Sequence, residues 1–317
     1  MTPLTLNPLL STTVEAYWEK SKAFVPSLGQ KQKIALVPTM GALHEGHLSL
    51  IRLAREHADR VVVSVFVNPL QFGPSEDFSR YPRTLEADLA ACQAEGVDAV
   101  FAPDVAVIYP NGMENATLIV PSESLTDKLC GLNRPGHFTG VATVVYQLFQ
   151  LLKPEIAVFG EKDAQQLAIV ERMVKDLRLP VQIVPHPIVR EADGLAMSSR
   201  NRYLKTPEDR QLALVLIKTL RAVDAQLKAA LPASEQFLQG ACFLQSAFQE
   251  VVSGLPQAEQ KRFHLEYLEA LTSDTLLPVL LPETSGEQLN EPIRLYMAAR
   301  LTLQDGNTLR LIDNMLL

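Results

Sequence analysis

Short apolar runs alternate with amphipathic stretches along the first part of this chain. The runs are rich in β-branched residues, as is typical of strands buried on both faces of a parallel sheet. They lie at residues 34–37, 61–67, 99–101, 156–159 and 182–184. Between them, apolar positions recur at the spacing of one helix face at about residues 48–58, 84–95, 138–152 and 164–177. The alternation predicts an α/β fold with a Rossmann-like parallel sheet flanked by helices.

The pattern changes after the segment Pro185-His186-Pro187. Two longer helical patterns follow at about residues 207–231 and 234–253, and strands are predicted near 263–270, 293–301 and 308–311. We therefore expect a Rossmann-like domain at residues 1–186 and a smaller α+β C-terminal domain at residues 187–317. A packing helix is predicted at residues 11–24, and the acidic, proline-containing segment 276–292 predicts a loop.

Composition excludes several classes of protein. A hydrophobic content of 47% in 317 residues is enough for a substantial core. The formal net charge of −7 disfavours a nucleic-acid partner, because such an interface needs a basic surface. Cys92, Cys130 and Cys242 are far apart and form no C-x-x-C motif, so neither a disulfide framework nor a zinc ribbon is predicted. With no apolar run long enough for a membrane span and no secretory pattern, we expect a soluble cytoplasmic protein.

Two histidines surround a glycine where the first apolar run meets the first amphipathic stretch. They end the segment V-P-T-M-G-A-L-H-E-G-H at residues 37–47. A helix N-terminus offers free N–H groups and the positive end of a dipole, and imidazoles add donors for phosphate oxygens. Gly46 allows the backbone to approach a ligand closely. The junction therefore predicts a phosphate site at His44 and His47.

Other interpretations of this motif are weaker. Neither common nucleotide fingerprint, G-x-G-x-x-G or G-x-x-x-x-G-K-[ST], occurs in the chain. A zinc site of the H-E-x-x-H type is disfavoured, because its histidines are four residues apart whereas His44 and His47 are three apart. A simple capping role for either histidine stays open.

The segment P-T-M-G-x-L-H-x-G-H resembles the ATP-binding signature of the pantothenate synthetase family, within the nucleotidylyltransferase superfamily. H-x-G-H alone is shared more widely, also with class I aminoacyl-tRNA synthetases. Further matches narrow the resemblance to the one family. They follow in the family's order as V-F-V-N-P-L-Q-F at 65–72, Y-P-R-T at 81–84, R-P-G-H-F at 134–138, G-E-K-D at 160–163, M-S-S-R at 197–200 and R-L-I-D-N at 310–314.

The resemblance implies an ATP-dependent ligase that joins pantoate to β-alanine through a pantoyl adenylate, releasing AMP and pyrophosphate. It implies ATP, pantoate and β-alanine as the small-molecule partners, Mg²⁺ as the cofactor and a homodimer. It also marks segment 276–292 as an insertion. Two alternatives stay open: another small-molecule adenylyltransferase or acyl-adenylating ligase, and a regulatory module that binds nucleotide without turnover.

By resemblance, four residues carry the chemistry. His47 would donate a proton, His44 would contact the phosphates, and Lys162 and Arg200 would supply positive charge. The ATP-binding set implied by the family is larger, and it comprises Met40, Gly41, Ala42, Leu43, His44, Glu45, Gly46, His47, Gly160, Glu161, Lys162, Asp163, Val189, Met197, Ser198, Ser199 and Arg200.

The resemblance also implies where the acids and the metal bind. Gln71 would contact both pantoate and β-alanine, because an amide can donate to a carboxylate and accept from a hydroxyl. The implied pantoate-binding set is Pro38, Met40, Asn68, Gln71 and Gln166. An apolar wall for the gem-dimethyl group is expected at Pro38, Met40, Phe66, Val144 and Val145, although core packing explains the last three equally well. Asp88 is the expected magnesium ligand, but alanines stand near it, at 87 and 91, where some relatives carry another ligand.

Overall fold

The structure is a computed structural model that describes residues 10–21, 32–74, 76, 78–230, 240–279 and 291–317. The chain divides into two compact units. Unit 1 consists of Met1–Thr126, Arg134–Glu161 and Ile169–Val189, and unit 2 consists of Asp127–Asn133, Lys162–Ala168 and Arg190–Leu317. The division into domains at residues 186 and 187 stays a prediction, because compact units are not a test of independent folding.

Unit 1 contains a six-stranded sheet. Its strands are β1 (Leu10–Ser11), β2 (Ile34–Thr39), β3 (Arg60–Val65), β4 (Ala99–Phe101), β5 (Ile156–Gly160) and β6 (Gln182–His186). They are ordered β1-β4-β3-β2-β5-β6, and each neighbouring pair is parallel. The chain order therefore reverses direction at β2, which lies between β3 and β5. In open parallel sheets, ligands bind beyond the carboxyl ends of the strands at such a reversal.

The apolar runs account for the sheet. Residues 35–37 of β2 and the interior positions of β3 to β5 are buried, as strands covered by helices on both faces require. All five strands expected in this unit are present, which confirms the predicted parallel sheet. The sequence analysis missed β1, because two residues show no periodicity. The Pro185-His186 part of the expected break belongs to β6.

Helices alternate with the strands along this part of the chain. The helices through residue 176 are α1 (Val14–Ser21), α2 (Glu45–His57), α3 (Leu85–Ala94), α4 (Val105–Ile108), α5 (Glu123–Thr126), α6 (Leu129–Asn133), α7 (His137–Leu152) and α8 (Ala164–Asp176). The predicted helix at 11–24 is α1, although residues 22–24 lie outside the described ones. Ile51 and Ala54 of α2 pack with Val37 of β2 in the unit's core, which aligns α2 with the strand that precedes it.

Unit 2 contains an antiparallel sheet with helices, as predicted for the C-terminal α+β part. The strands β7 (Phe263–Thr272), β8 (Ile293–Thr302) and β9 (Thr308–Leu316) pair in sequence order. The helix predicted at 207–231 is two helices, α9 (Pro207–Ala213) and α10 (Val215–Ala230), separated by Leu214. Leu214 retains a right-handed helical backbone, so the sequence period continues through the break.

Two elements expected in unit 2 lie only partly within the described residues. The predicted helix at 234–253 appears as α11 (Gly240–Ser253), followed by the short α12 (Gln257–Gln260), and residues 234–239 lie outside the described ones. Of the loop expected at 276–292, residues 280–290 also lie outside them, and Pro278 forms an isolated antiparallel bridge with Leu271. Among the described residues, none of the helices has the length and apolar character that a membrane crossing requires.

Candidate active site

The turn between β2 and α2 has an unusual backbone. Gly41 and Ala42 both have positive φ angles, of 78° and 51°. A Cβ at Gly41 would lie 2.9 Å from an oxygen of Asp88 and 2.9 Å from a methyl of Val65, so glycine is needed for space as well as for its φ angle. Two successive left-handed residues turn the chain from the strand into the helix. They place His44 at the N-cap of α2.

The two histidines of the motif lie side by side. Their ring centroids are 4.0 Å apart, and the backbone N–H of His44 donates to Nδ1 of His47 at 3.3 Å. Because Nδ1 of His47 accepts a hydrogen bond, a neutral His47 carries its proton on Nε2. His47 therefore presents an N–H donor within the first turn of α2, where the helix dipole also favours an anion.

Glu45 points away from this chemistry. Its exposed side chain forms an ion pair with Arg52, about two turns further along α2, and hydrogen bonding from Arg52 lowers the pKa of Glu45. A nucleotide contact at position 45 would therefore come from the backbone. This is compatible with the N–H groups that a helix N-terminus leaves free.

Three of the residues expected to bind pantoate, Met40, Asn68 and Gln71, meet at the short helical turn Pro69–Gln71 after β3. Nε2 of Gln71 lies 2.9 Å from the sulfur of Met40, so the structure brings these two predicted residues together. Asn68 is buried and uses both ends of its amide within the protein. Its Nδ2 donates to the carbonyl of Gly140 at 3.0 Å and to Oε1 of Gln71 at 3.3 Å. Its Oδ1 accepts from the hydroxyl of Tyr109 at 2.8 Å. Asn68 thus holds Gln71 in place.

A second set of contacts holds Gln71 from its backbone. The carbonyl of Gln71 accepts from Nδ1 of His137 at 2.8 Å and from Arg134 at 3.3 Å. Arg134 is 2.8 Å from Nε2 of His137, and since a guanidinium only donates, this contact assigns the neutral tautomer with its proton on Nδ1. Arg134 also forms a two-point ion pair with Glu76 at 2.6 and 2.8 Å.

Helix α7 approaches the same turn very closely. A Cβ at Gly140 would lie 2.4 Å from the carbonyl oxygen of Leu70 and 2.7 Å from the backbone nitrogen of Gln71. These are backbone atoms that cannot rotate away. The turn Pro69–Gln71 therefore lies against the backbone of α7.

Asp88 has a role inside this unit. It is 2% exposed, and its two oxygens accept from the backbone N–H groups of Ala42 at 3.0 Å and Leu43 at 2.8 Å. The hydroxyl of Thr84 lies 3.3 Å from each oxygen. The carboxylate thus ties α3 to the turn that precedes α2.

The apolar wall expected for the gem-dimethyl group stays a prediction. Phe66, Val144 and Val145 are all buried, as core packing alone would require. Pro38 lies on β2, and Gly160 and Glu161 follow at the carboxyl end of the neighbouring strand β5. Val189 is the last residue of unit 1.

The remaining predicted residues belong to unit 2. Lys162 lies in a short helical turn, its Nζ is 3.8 Å from Asp163, and its carbonyl accepts from Nδ2 of Asn314 at 2.9 Å. Asn314 and Asp313 belong to the R-L-I-D-N segment. Arg190 binds both of them, through the carboxylate of Asp313 at 2.7 and 3.0 Å and the carbonyl of Asn314 at 3.1 Å. The C-terminal motif therefore supports the backbone at Lys162.

The M-S-S-R segment leads into a short helical turn, Ser199–Tyr203. Ser198 caps this turn, since its Oγ accepts from the backbone N–H of Arg200 at 3.2 Å. Asn201 anchors the segment by donating to the carbonyl of Ala196 and to Glu191. Gln166 is half-buried in the first turn of α8, and Met197 is half-buried just before the cap.

Comparison with known proteins decides the family. The sequence model of the pantoate-β-alanine ligase family matches residues 12–316. The chain belongs to the pantoate-β-alanine ligase family. The predicted family resemblance is therefore confirmed. The fold agrees as well: a pantothenate synthetase from Thermus thermophilus has 43% sequence identity and a TM-score of 0.78, with 96% of this chain and 98% of that one covered.

Two further relatives of this family are informative. A pantoate-β-alanine ligase from Francisella tularensis, solved in complex with βγ-ATP and β-alanine, has 30% identity and a TM-score of 0.68 over 97% of each chain. A bifunctional pantoate ligase/cytidylate kinase from Thermosynechococcus vestitus is 51% identical over 253 residues, which cover 80% of this chain and 47% of that protein. The chain spans about half the length of the curated bifunctional relatives it matches.

In each unit, residues that the sequence analysis did not assign support the predicted site residues. Arg134, His137 and Asn314 stand in matched motifs, but a motif does not say which carbonyl its side chains contact. Tyr109 and Gly140 lie outside the matched motifs. Burial raises the pKa of Tyr109, so its hydroxyl remains a neutral donor. Only the folded structure shows that Asn68 accepts this hydrogen bond.

Proposed function

We propose that this chain condenses pantoate with β-alanine, using ATP and forming a pantoyl adenylate. The observation that carries the proposal is the pair His44 and His47 at the N-terminus of α2, directly beyond the strand at which the sheet order reverses. In a chain of the pantoate-β-alanine ligase family, a donor pair at this position is suited to the phosphates of ATP.

The proposed reaction has two steps. A carboxylate is a poor electrophile, so one pantoate carboxylate oxygen first attacks the α-phosphorus of ATP, and the bond to pyrophosphate breaks. The amine of β-alanine then attacks the acyl carbon and loses a proton. AMP leaves and keeps the oxygen that came from the pantoate carboxylate. Neither step needs a nucleophile from the protein, whose task is to position reactants and stabilise charge on phosphate.

The proposed roles on the nucleotide side follow from donor type. Nε2–H of His47 would donate to phosphate oxygens. Because Nδ1 accepts a hydrogen bond, the neutral imidazole already carries its proton on Nε2, and no imidazolium is required. His44 would contact the phosphates beside it. Lys162 would add a point charge and Arg200 a planar fork, with the hydroxyls of Ser198 and Ser199 as further donors.

The proposed acid side centres on Gln71. Its amide is fixed by Asn68 and by the contacts to its carbonyl, so a pantoate or β-alanine carboxylate would meet a donor already in place. Asn68 would act mainly by holding Gln71, because its own amide atoms are engaged within the protein. Direct contacts from Gln166, and a wall formed by Pro38 and Met40, complete the proposal.

Magnesium, a homodimer and a cytoplasmic location also stay proposals. Magnesium bound to ATP would offset charge on the phosphates. Its predicted ligand does not fit, because both oxygens of Asp88 already accept protein hydrogen bonds in a buried place.

A two-stage assay tests the proposed function. ATP and pantoate alone should release pyrophosphate up to about one equivalent per site, and adding β-alanine should then produce AMP and pantothenate continuously. Pyrophosphate release with other carboxylic acids but not with pantoate would favour another acyl-adenylating ligase. ATP binding without any pyrophosphate release would favour a regulatory module.

A further inference from the structure

Asp88 stands in the structure as a support for the turn that carries the nucleotide motif. We infer that Asp88 is a positioning residue that fixes the turn 40–44, and that it is not a magnesium ligand. The expected effect of Asp88 on ATP and pantoate kinetics rests on the proposed function. Its hydrogen bonds to the backbone N–H groups of Ala42 and Leu43 do not, and they can be tested without turnover.

The hydrogen bonds of the carboxylate carry the first part of the inference. An ionised carboxylate only accepts, and its two oxygens together offer about four acceptor positions. Ala42 N–H occupies one oxygen at 3.0 Å, Leu43 N–H occupies the other at 2.8 Å, and the Thr84 hydroxyl lies 3.3 Å from both. The side chain is therefore nearly saturated by groups of the protein itself.

The surroundings of Asp88 do not suit a magnesium ion. Magnesium requires near-octahedral oxygen ligands at about 2.0–2.1 Å and keeps several of its waters. Asp88 is only 2% exposed, so there is little room for these waters beside its carboxylate. Across the part of the chain that the structure describes, three or more His, Cys, Asp or Glu side chains nowhere gather in a group that could hold a metal. The chemistry of the donor set thus favours backbone N–H groups over a cation.

The backbone that Asp88 holds is one that needs support. Ala42 has a φ angle of 51°, which residues with a side chain rarely adopt, and Gly41 before it has a φ angle of 78°. The carboxylate also sets the space at Gly41, because a Cβ there would lie 2.9 Å from one of its oxygens. Asp88 and the left-handed pair therefore form one rigid arrangement.

Both halves of the site depend on this arrangement. Met40 is the first residue of the turn and contacts Gln71 of the acid side, whereas His44 is its last residue and orients His47. If the turn relaxes, the positions of both change together. Loss of Asp88 should therefore impair ATP and pantoate use in parallel, without a change in the metal requirement.

The variant Asp88→Asn tests this inference, because it keeps the shape but turns one acceptor into a donor that faces a backbone N–H. We expect hydrogen exchange at the Ala42 and Leu43 amides to become at least about tenfold faster. We expect kcat/KM for ATP and for pantoate to fall about 10- to 100-fold, as for a misplacement of about 1 Å. The magnesium concentration for half-maximal activity should stay as in the wild type. So should the affinity for Mn²⁺ of the complex with a non-hydrolysable ATP analogue, measured by electron paramagnetic resonance.

The matched control is Glu86→Gln, which removes one charge from the exposed side of the same helix turn and should leave all these quantities unchanged. If Asp88→Asn fails to fold, Thr84→Val replaces it and should speed exchange at the same amides by a smaller factor. Weakened Mn²⁺ binding, or activity restored by high magnesium, would overturn the inference. So would unchanged exchange at Ala42 and Leu43. Absence of pantothenate synthesis by the wild type would instead reject the proposed function and leave the exchange result standing.

Discussion

Gly140→Ala is the most informative small perturbation of the acid side. The added methyl would lie 2.4 Å from the carbonyl oxygen of Leu70 and 2.7 Å from the nitrogen of Gln71. Such contacts are normally not shorter than about 3.0 Å, so the turn and α7 must separate by about 0.5 Å or more. Because Gln71 belongs to this turn, its amide moves with the turn.

The sign of the stability change makes the prediction sharp. Replacing a glycine in an unobstructed helix by alanine stabilises a protein by about 0.5–1 kcal/mol. Here the close contact should reverse the sign, and we expect a net loss of about 1–3 kcal/mol, as for other overpacked sites. Displacement of Gln71 should lower kcat/KM for pantoate by about 10- to 100-fold, whereas ATP affinity should change little.

The assay compares Gly140→Ala with the nearby variant Gly73→Ala. A Cβ at Gly73 would meet only Glu76 at 3.7 Å, an ordinary contact, so this variant should keep both stability and pantoate kinetics. Thermal unfolding and steady-state kinetics with pantoate varied give the two readouts. A Gly140→Ala protein that is as stable as wild type and uses pantoate normally would refute the role of this close approach.

Three further predictions follow from the site. His47→Ala should slow pyrophosphate release by about 10²- to 10³-fold, because one transition-state donor is lost. The control His57→Ala, at the exposed end of α2, should keep the wild-type rate. A wild-type rate in a folded His47→Ala protein would contradict the role of Nε2. Lys162→Ala should weaken ATP use more than pantoate use, and Gln71→Ala should do the opposite by about 10- to 150-fold; parallel losses in both variants would reject the separation of the two sides. Burial raises the pKa of Glu76, but the hydrogen bonds and charge of Arg134 leave this pKa lowered overall. The ionised Glu76 carboxylate therefore stabilises the fold above the ordinary carboxyl pKa of about 4.3, and this stabilisation is lost as the pH falls through the lower pKa of the folded protein. Glu76→Gln should therefore be less stable than wild type at pH 7 and lose less stability on acidification, and an unchanged pH profile of thermal unfolding would contradict this.

Periodicity was sufficient for five of the six strands of the parallel sheet and for most helices, because the pattern that predicts an element lies within that element. The strands from β2 to β6 and the start of α2 near His47 appear in the apolar pattern, and family motifs marked the nucleotide turn. The break at Leu214 was invisible, since a residue with helical backbone leaves the period intact.

The supporting contacts could not be predicted, because they join residues far apart in sequence. Asp88 contacts an N–H group 46 residues earlier, and Asn68 contacts a carbonyl 72 residues later. An aspartate near a helix start or a glycine inside a helix has several ordinary explanations. Only the folded chain shows that Asp88 accepts from the turn 40–44 and that Gly140 lies against Leu70.

The most direct test of the proposed activity follows an oxygen atom. Pantoate labelled with ¹⁸O in its carboxylate is incubated with the protein, ATP and β-alanine, and the AMP and pyrophosphate are analysed by mass spectrometry. If the carboxylate attacks the α-phosphorus, each AMP carries one ¹⁸O and the pyrophosphate carries none. Unlabelled AMP, or label in a phosphate product, would contradict the proposed adenylate pathway.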